Sequence, residues 1–252
     1  MKTIKLKMIV VLFALLSFSA FAQNNETRQL EGFNRVHSSG FFDVELTKGD
    51  KEEAKIVANN FDLSKLIMEV EGGTLKIYKE KYYRTRWNAK VKIYLTYKQI
   101  DGLKNSGSGD LLCKSDVEGG EAWFKSSGSG NIKVEGTIKA DDVKAQNSGS
   151  GNIYFEKVIA KSLFMEKSGS GNFGVGSGSV GKEQLTSSGS GNIKTEGLVS
   201  NVCYVKISGS GNAGVNASDE LKAQVSGSGN IRYRGNPQLN SKVSGSGSIR
   251  SF

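Results

Sequence analysis

The sequence predicts an all-β chain folded as a single-domain parallel β-solenoid, right-handed by the usual crossover rule, and three observations predict it. First, one pentapeptide returns eight times: SGSGD at 106-110, SGSGN at 127-131, 148-152, 168-172, 188-192, 208-212 and 226-230, and SGSGS at 244-248. Counted start to start the periods are 21, 21, 20, 20, 20, 18 and 18 residues, the mark of a stack whose units are buried only by their neighbours. Second, apolar residues alternate with polar ones and keep their phase through each copy, a strand period. Third, 32 Gly against 1 Pro separates the chain from Pro-rich disorder and collagen.

Taken in order, residues 1-22 read as a secretory signal peptide. Lys2, Lys5 and Lys7 precede an apolar run from Met8 to Phe18, and Ala20-Phe21-Ala22 supplies small residues before Gln23. The run is too short to span a bilayer comfortably, so no transmembrane segment is expected in the mature chain. No Cys follows the cleavage site, so no lipidated N-terminus is expected either. Removing this segment leaves 31 basic and 25 acidic residues, a net charge of +6. Basic residues such as Lys133, Lys144 and Lys194 sit at outward parity without a stacked aromatic pattern. They read as a solvated face, and no nucleic-acid partner is expected.

Residues 23-105 form an irregular N-terminal β cap of degenerate coils, because a solenoid needs an atypical end over its open cross-section. Val36 to Leu46 reads as a worn coil: strand, Ser-Gly break, strand, with Phe42, Val44 and Leu46 on one face. Further strands are predicted near Ala54 to Ala58, Ile67 to Val70, Thr74 to Tyr78 and Val91 to Tyr97. Gly72-Gly73 makes a turn, and one helical turn is predicted at Asp62 to Leu66. The loop Lys81 to Trp87 interleaves aromatic and basic residues, which makes Tyr82, Tyr83, Arg84, Arg86 and Trp87 candidate binding residues for a sugar ring or acidic polymer. The plainer reading is a hairpin tip covering the cap.

Residues 106-252 form about seven regular coils of 18-21 residues. In the third copy Val143, Ala145, Asn147, Gly149, Gly151, Ile153 and Phe155 share the inward parity. If the strand runs straight through, the glycines let the opposite wall of the coil come close. The serines and Asn131, Asn152, Asn172, Asn192, Asn212 and Asn230 then form outward columns, and these asparagines are candidate binding residues. A competing geometry bends the chain at the glycines and turns one serine column inward. Cys113 and Cys203 fall on inward parity several coils apart, hence two buried free thiols rather than a disulfide. The last motif runs into Ile249-Arg250-Ser251-Phe252, an exposed strand edge with Arg232, Arg234, Lys242 and Arg250 as charge against edge-to-edge growth. No translocating barrel or anchor is expected after it.

No catalytic, cofactor or metal constellation is legible. His37 is the only histidine and has no evident partner for a nucleophilic relay. The position that carries Asp in calcium-binding solenoids is Asp only at Asp110. Glu135, Glu156 and Glu196 fall after the motif as a column interleaved with Lys, the pattern of a solvated coil edge.

The leader, the worn Val36 to Leu46 coil, the Gly73-Thr74-Leu75-Lys76-Ile77 strand and the run of SGSGN/D coils resemble the putative autotransporter adhesin head GIN domain family, common in exported proteins of gut and environmental Gram-negative bacteria. The resemblance covers nearly the whole mature chain. It implies a parallel β-solenoid and an adhesin-like role at the cell envelope, and supplies no catalytic residues. The expected function is that of a non-enzymatic exported adhesin-like or scaffold protein in the periplasm, at the outer-membrane surface or secreted. It would bind a glycan, an envelope polymer or another envelope protein through the Ser/Asn face or the cap loop. Two other classes stay open: an ice-binding-type solenoid and an envelope polysaccharide-cleaving enzyme.

Overall fold

The computed structural model describes residues 24–252, so the segment read as a signal peptide lies outside the described residues. The fold is a parallel β-solenoid of about 8 turns, 63% strand. The cap contributes β1 (Asn24–Gln29), β2 (Arg35–Ser38), β3 (Asp43–Lys48), β4 (Glu53–Asn59), β5 (Leu66–Glu71), β6 (Thr74–Lys79), β7 (Lys90–Tyr97), β8 (Gly102–Asn105) and β9 (Leu111–Cys113). The array contributes β10 (Val117–Ser126), β11 (Ile132–Asn147), β12 (Ile153–Lys167), β13 (Phe173–Ser187), β14 (Ile193–Lys194), β15 (Leu198–Ile207), β16 (Ala213–Val225), β17 (Ile231–Arg234), β18 (Gln238–Val243) and β19 (Ile249–Ser251).

From β8 onward every pairing is parallel, with the register shifting by one residue between Val134 and Thr137 and between Ser200 and Val202. Ile132, Ile153, Phe173, Ile193, Ala213, Ile231 and Ile249 lie one above the next, each one coil on. Residues of inward parity fill the interior from facing walls, as where the Phe124 and Phe155 rings meet at 4.6 Å between centroids. Burial of these columns, repeated at every level, is the main favourable term for a stack without a layered core.

The motif departs from both geometries that its parity allows. The strand is interrupted at each Ser-Gly-Ser, so the chain bends there, yet the motif serines from Ser127 to Ser228 stay exposed. The glycines do not admit the opposite wall. A Cβ added to Gly151 would run into the carbonyl oxygen of Gly130 one coil below, and one added to Gly171 into that of Gly151. This repeats at both glycines of the later copies, so glycine is required because the corner packs backbone directly on backbone. The inward polar ladder lies one residue before the motif, at Asn105, Ser126, Asn147, Lys167 and Ser187, all buried. There the Asn147 amide donates to Gly151 O at 2.6 Å while its carbonyl accepts from Gly149 N at 3.0 Å, which closes the bend locally.

In the cap, chain order and spatial order part. β6 and β7 pair in parallel outside β2 and β3, although they follow them in sequence. β4, β1 and β5 then close the end in antiparallel pairings. Gly72 and Gly73, at φ +55° and +73°, make the β5–β6 turn that needs the left-handed region. The helical turn is a 3₁₀ turn, Leu63–Lys65, capped by Asp62, whose side chain accepts from Ser64 N. Both cysteines are buried and free. No helix among the described residues is long and apolar enough to cross a membrane.

Candidate functional site

The predicted asparagine column forms, as a hydrogen-bonded spine. The Oδ1 of Asp110 accepts from the backbone N and the Nδ2 of Asn131, at 2.8 and 2.9 Å. Asn131 Oδ1 takes the same two donors from Asn152, and Asn152 Oδ1 those of Asn172. Asn172 accepts the backbone N of Asn192 at 2.8 Å, and the double contact resumes from Asn212 to Asn192 and from Asn230 to Asn212. Ser248 closes the far end on Asn230 through its N and Oγ. All these bonds point one way, and the end that only accepts is occupied by carboxylates: Asp110 N donates in turn to Asp43 Oδ1 at 3.0 Å. A charged acceptor makes the stronger bond at that end. The spine uses each carbonyl, and the amides retain further N–H groups with no partner among the described residues.

Beside the spine runs a groove, floored by the first residues of the strands that follow the motif. Three contiguous hollows of about 570, 570 and 440 Å³ follow one another along the axis, joined at Asn152 and at Asn192. The outward floor positions, one per coil, are Leu112, Lys133, Tyr154, Gly174, Lys194, Gly214, Arg232 and Arg250. Gly174 and Gly176 leave room for the Tyr154 ring to lie across the next coil, where an added Cβ would meet it at 2.8 and 2.7 Å. Gly214 does the same for the Glu196 carboxylate.

Charge is arranged unevenly along this floor. At the cap end cations and carboxylates are paired: Lys114 and Lys92 lie 2.6 and 3.2 Å from Glu45, and Lys133 lies 2.8 Å from Glu135. Lys114, then Lys92, holds the Glu45 carboxyl below its ordinary range. At the other end Lys194, Arg232, Arg234 and Arg250 form no ion pair among the described residues.

The other predicted candidates separate into two kinds. The Lys81 to Trp87 loop replaces the motif corner in the outermost turn, between β6 and β7. Trp87 is 97% and Tyr82 86% exposed, and Arg84 and Arg86 are exposed beside them. Tyr83 instead packs edge-on against Phe61 at 5.5 Å, so it belongs to the cap. His37, for which the sequence offered no partner, has one: its Nε2 lies 2.9 Å from Ser106 Oγ. Burial, then Lys104 and Lys76, lowers the imidazole pKa, and no carboxylate among the described residues orients the ring as a relay requires. Among the described residues no group of three or more His, Cys, Asp or Glu is placed to hold a metal ion. The sequence reading missed the groove, whose signal was the glycine at alternate outward floor positions, Gly174 and Gly214.

Comparison with known proteins gives a family and a fold. A family model described as "Putative auto-transporter adhesin, head GIN domain" matches residues 32–237. No curated protein matches the chain. A putative adhesin from Parabacteroides merdae is 20% identical with a TM-score of 0.85, over 91% of this chain and 96% of that one. A putative adhesin from Parabacteroides distasonis is 22% identical with a TM-score of 0.87, over 92% and 98%. A protein from the same organism described as a putative lipid binding protein is 28% identical with a TM-score of 0.80, over 91% and 97%.

Proposed function

The chain belongs to the putative auto-transporter adhesin, head GIN domain family, and from that premise we propose that it is a non-enzymatic adhesin-like protein whose spine-side groove holds a linear glycan. An exported or cell-surface location accords with the family. The observation that carries the reading is the run of adjacent hollows, sharing lining residues at Asn152 and Asn192, that follows the coil axis past Asn131, Asn152, Asn172 and Asn192, the shape an extended polymer needs. Free amide N–H groups line one side to meet hydroxyls, and the half-exposed Tyr154 ring offers a stacking face. The serine columns sit on a bend rather than a flat strand, which removes the support for an ice-binding face.

A glycan array followed by calorimetry tests this, comparing the protein with Tyr154→Ala. Binding of a linear glycan that weakens about tenfold in the variant supports the groove, since a stacked ring contributes on the order of 1 kcal/mol. Unchanged binding in that variant, with loss in Trp87→Ala, would move the site to the cap loop. The neighbour described as lipid binding favours a second reading, in which the groove takes an acyl chain; retention of fatty acids by the purified protein is its test.

A further inference from the structure

We infer that the C-terminal third of the groove is an anion subsite, so that the ligand is an acidic linear glycan bearing carboxylate, sulfate or phosphate groups; this rests on the glycan reading above. Arg232 and Arg250 stack in register on adjacent coils at the same outward position. Like charges directly opposed on neighbouring strands destabilise a sheet, and no carboxylate among the described residues pairs with either. Arg234 projects from the next outward position of β17, and Lys194 stands on the same column as Arg232, two coils earlier. The Phe252 ring backs the cluster, 4.8 Å from the Arg234 guanidinium and 6.0 Å from that of Arg232. Lys194, Arg232 and Arg250 line the last hollow and Arg234 the middle one beside it, and against them the side chains lining the last hollow offer one carboxylate, Glu196, which lies down over Gly214.

Edge protection does not account for the cluster. It requires charge on the outermost strands, as at Lys242 on β18 and Arg250 on β19. Arg232 and Arg234 lie on β17, which is paired on both sides by β16 and β19. An oxyanion bound between stacked guanidiniums relieves their repulsion and takes charge-assisted, bidentate bonds. At the opposite end Lys92, Lys114 and Lys133 are already matched by Glu45 and Glu135, so that end suits neutral sugar.

The experiment measures retention of the purified full chain on polygalacturonate, dextran sulfate and neutral dextran, and on vesicles of phosphatidylglycerol or phosphatidylcholine. The variants are Arg232→Ser/Arg234→Ser/Arg250→Ser and, as control, Lys139→Ser/Lys144→Ser, exposed lysines that line none of the three hollows, with melting temperature checked for each. The expected result is binding to an acidic polysaccharide that falls about 30-fold or more in the arginine variant, survives in the lysine variant, and weakens steeply with salt. Equal binding of neutral dextran with no effect of the arginines, while Tyr154→Ala weakens it, overturns the anion subsite and leaves the glycan groove standing. Preference for phosphatidylglycerol vesicles over every polysaccharide overturns it in favour of a lipid surface. Absence of glycan binding in every arm overturns both readings together.

Discussion

The cap and the array build the same corner from opposite materials. At Gly109, and again at Gly130, Gly151 and Gly171, the direction in which a side chain would leave is filled by the backbone of the coil below. The equivalent residue of the first coil is Phe42, fully buried. It has room because the outermost turn swings its corner away as the loop between β6 and β7, and Phe42 fills the gap with Phe41, Phe61 and Tyr83 at centroid separations of 4.7 to 5.9 Å. The lesson is that residue choice here is decided by whether a neighbouring coil is present, not by the local conformation, since none of these motif glycines needs a positive φ. Repetition is obligatory in the middle and lapses at the end.

The sharpest way to break this contrast is Gly171→Ala, whose Cβ meets Gly151 O. The expected loss is about 3 kcal/mol or more, read by denaturant unfolding, because backbone on both sides has nowhere to move. Gly40→Ala, which meets only the Phe42 ring, is expected to cost about half as much. Gly120→Ala, where nothing lies within 4 Å, should change stability by under about 0.5 kcal/mol. Similar losses for all three would end the argument.

A second contrast concerns charge, since the fully buried Glu183 lies inside the array among apolar walls. Burial raises its carboxyl pKa to about 7, against which Thr195, Cys203 and Ser200 act only partly, and Oε1 has no partner. The folded value lies above the unfolded one, near 4.5, so the folded state binds the proton more tightly between them. Stability from this group is therefore present below about pH 4.5 and is lost as pH rises towards 7. Glu183→Gln should remove that slope, with a gain on the order of 3 kcal/mol at pH 8 relative to pH 4, measured as the difference in unfolding free energy. A parallel pH profile for the two proteins refutes it.

Smaller effects belong to the spine and the loop. Asn172→Ala leaves the Asn192 N–H without its acceptor and should cost about 1 kcal/mol. Trp87→Ala, in a side chain that touches little, should leave the melting temperature unchanged. A spine variant as stable as the parent would mean that the ladder's bonds are exchanged for water without loss.

The array was readable because strand parity and motif period agree at every level, so the columns from Ile132 to Ile249 followed directly. The cap strands were readable as segments: β4, β5, β6 and β7 lie within a residue or so of the predicted stretches. Their arrangement was not, since nothing local in Thr74 to Lys79 tells that β6 pairs outside β2, a contact made across the whole cap. The asparagine column was legible as a column, but its bonding was not. An amide on an outward face suits a ligand or a neighbouring coil equally well, and only the spacing between coils decides. Arg232 and Arg250 were visible as charge at an edge; their placement one above the other required the register.

The one-way ladder also implies that the molecule is extensible. Each rung presents one acceptor and receives the same pair of donors, so splicing in a duplicate of residues 148–167 would repeat the same spine bonds. Every unit added would lengthen the channel by about 4.8 Å. Length along the coil axis is thus set by copy number, a quantity that gene duplication can adjust while reusing the spine's own bonds.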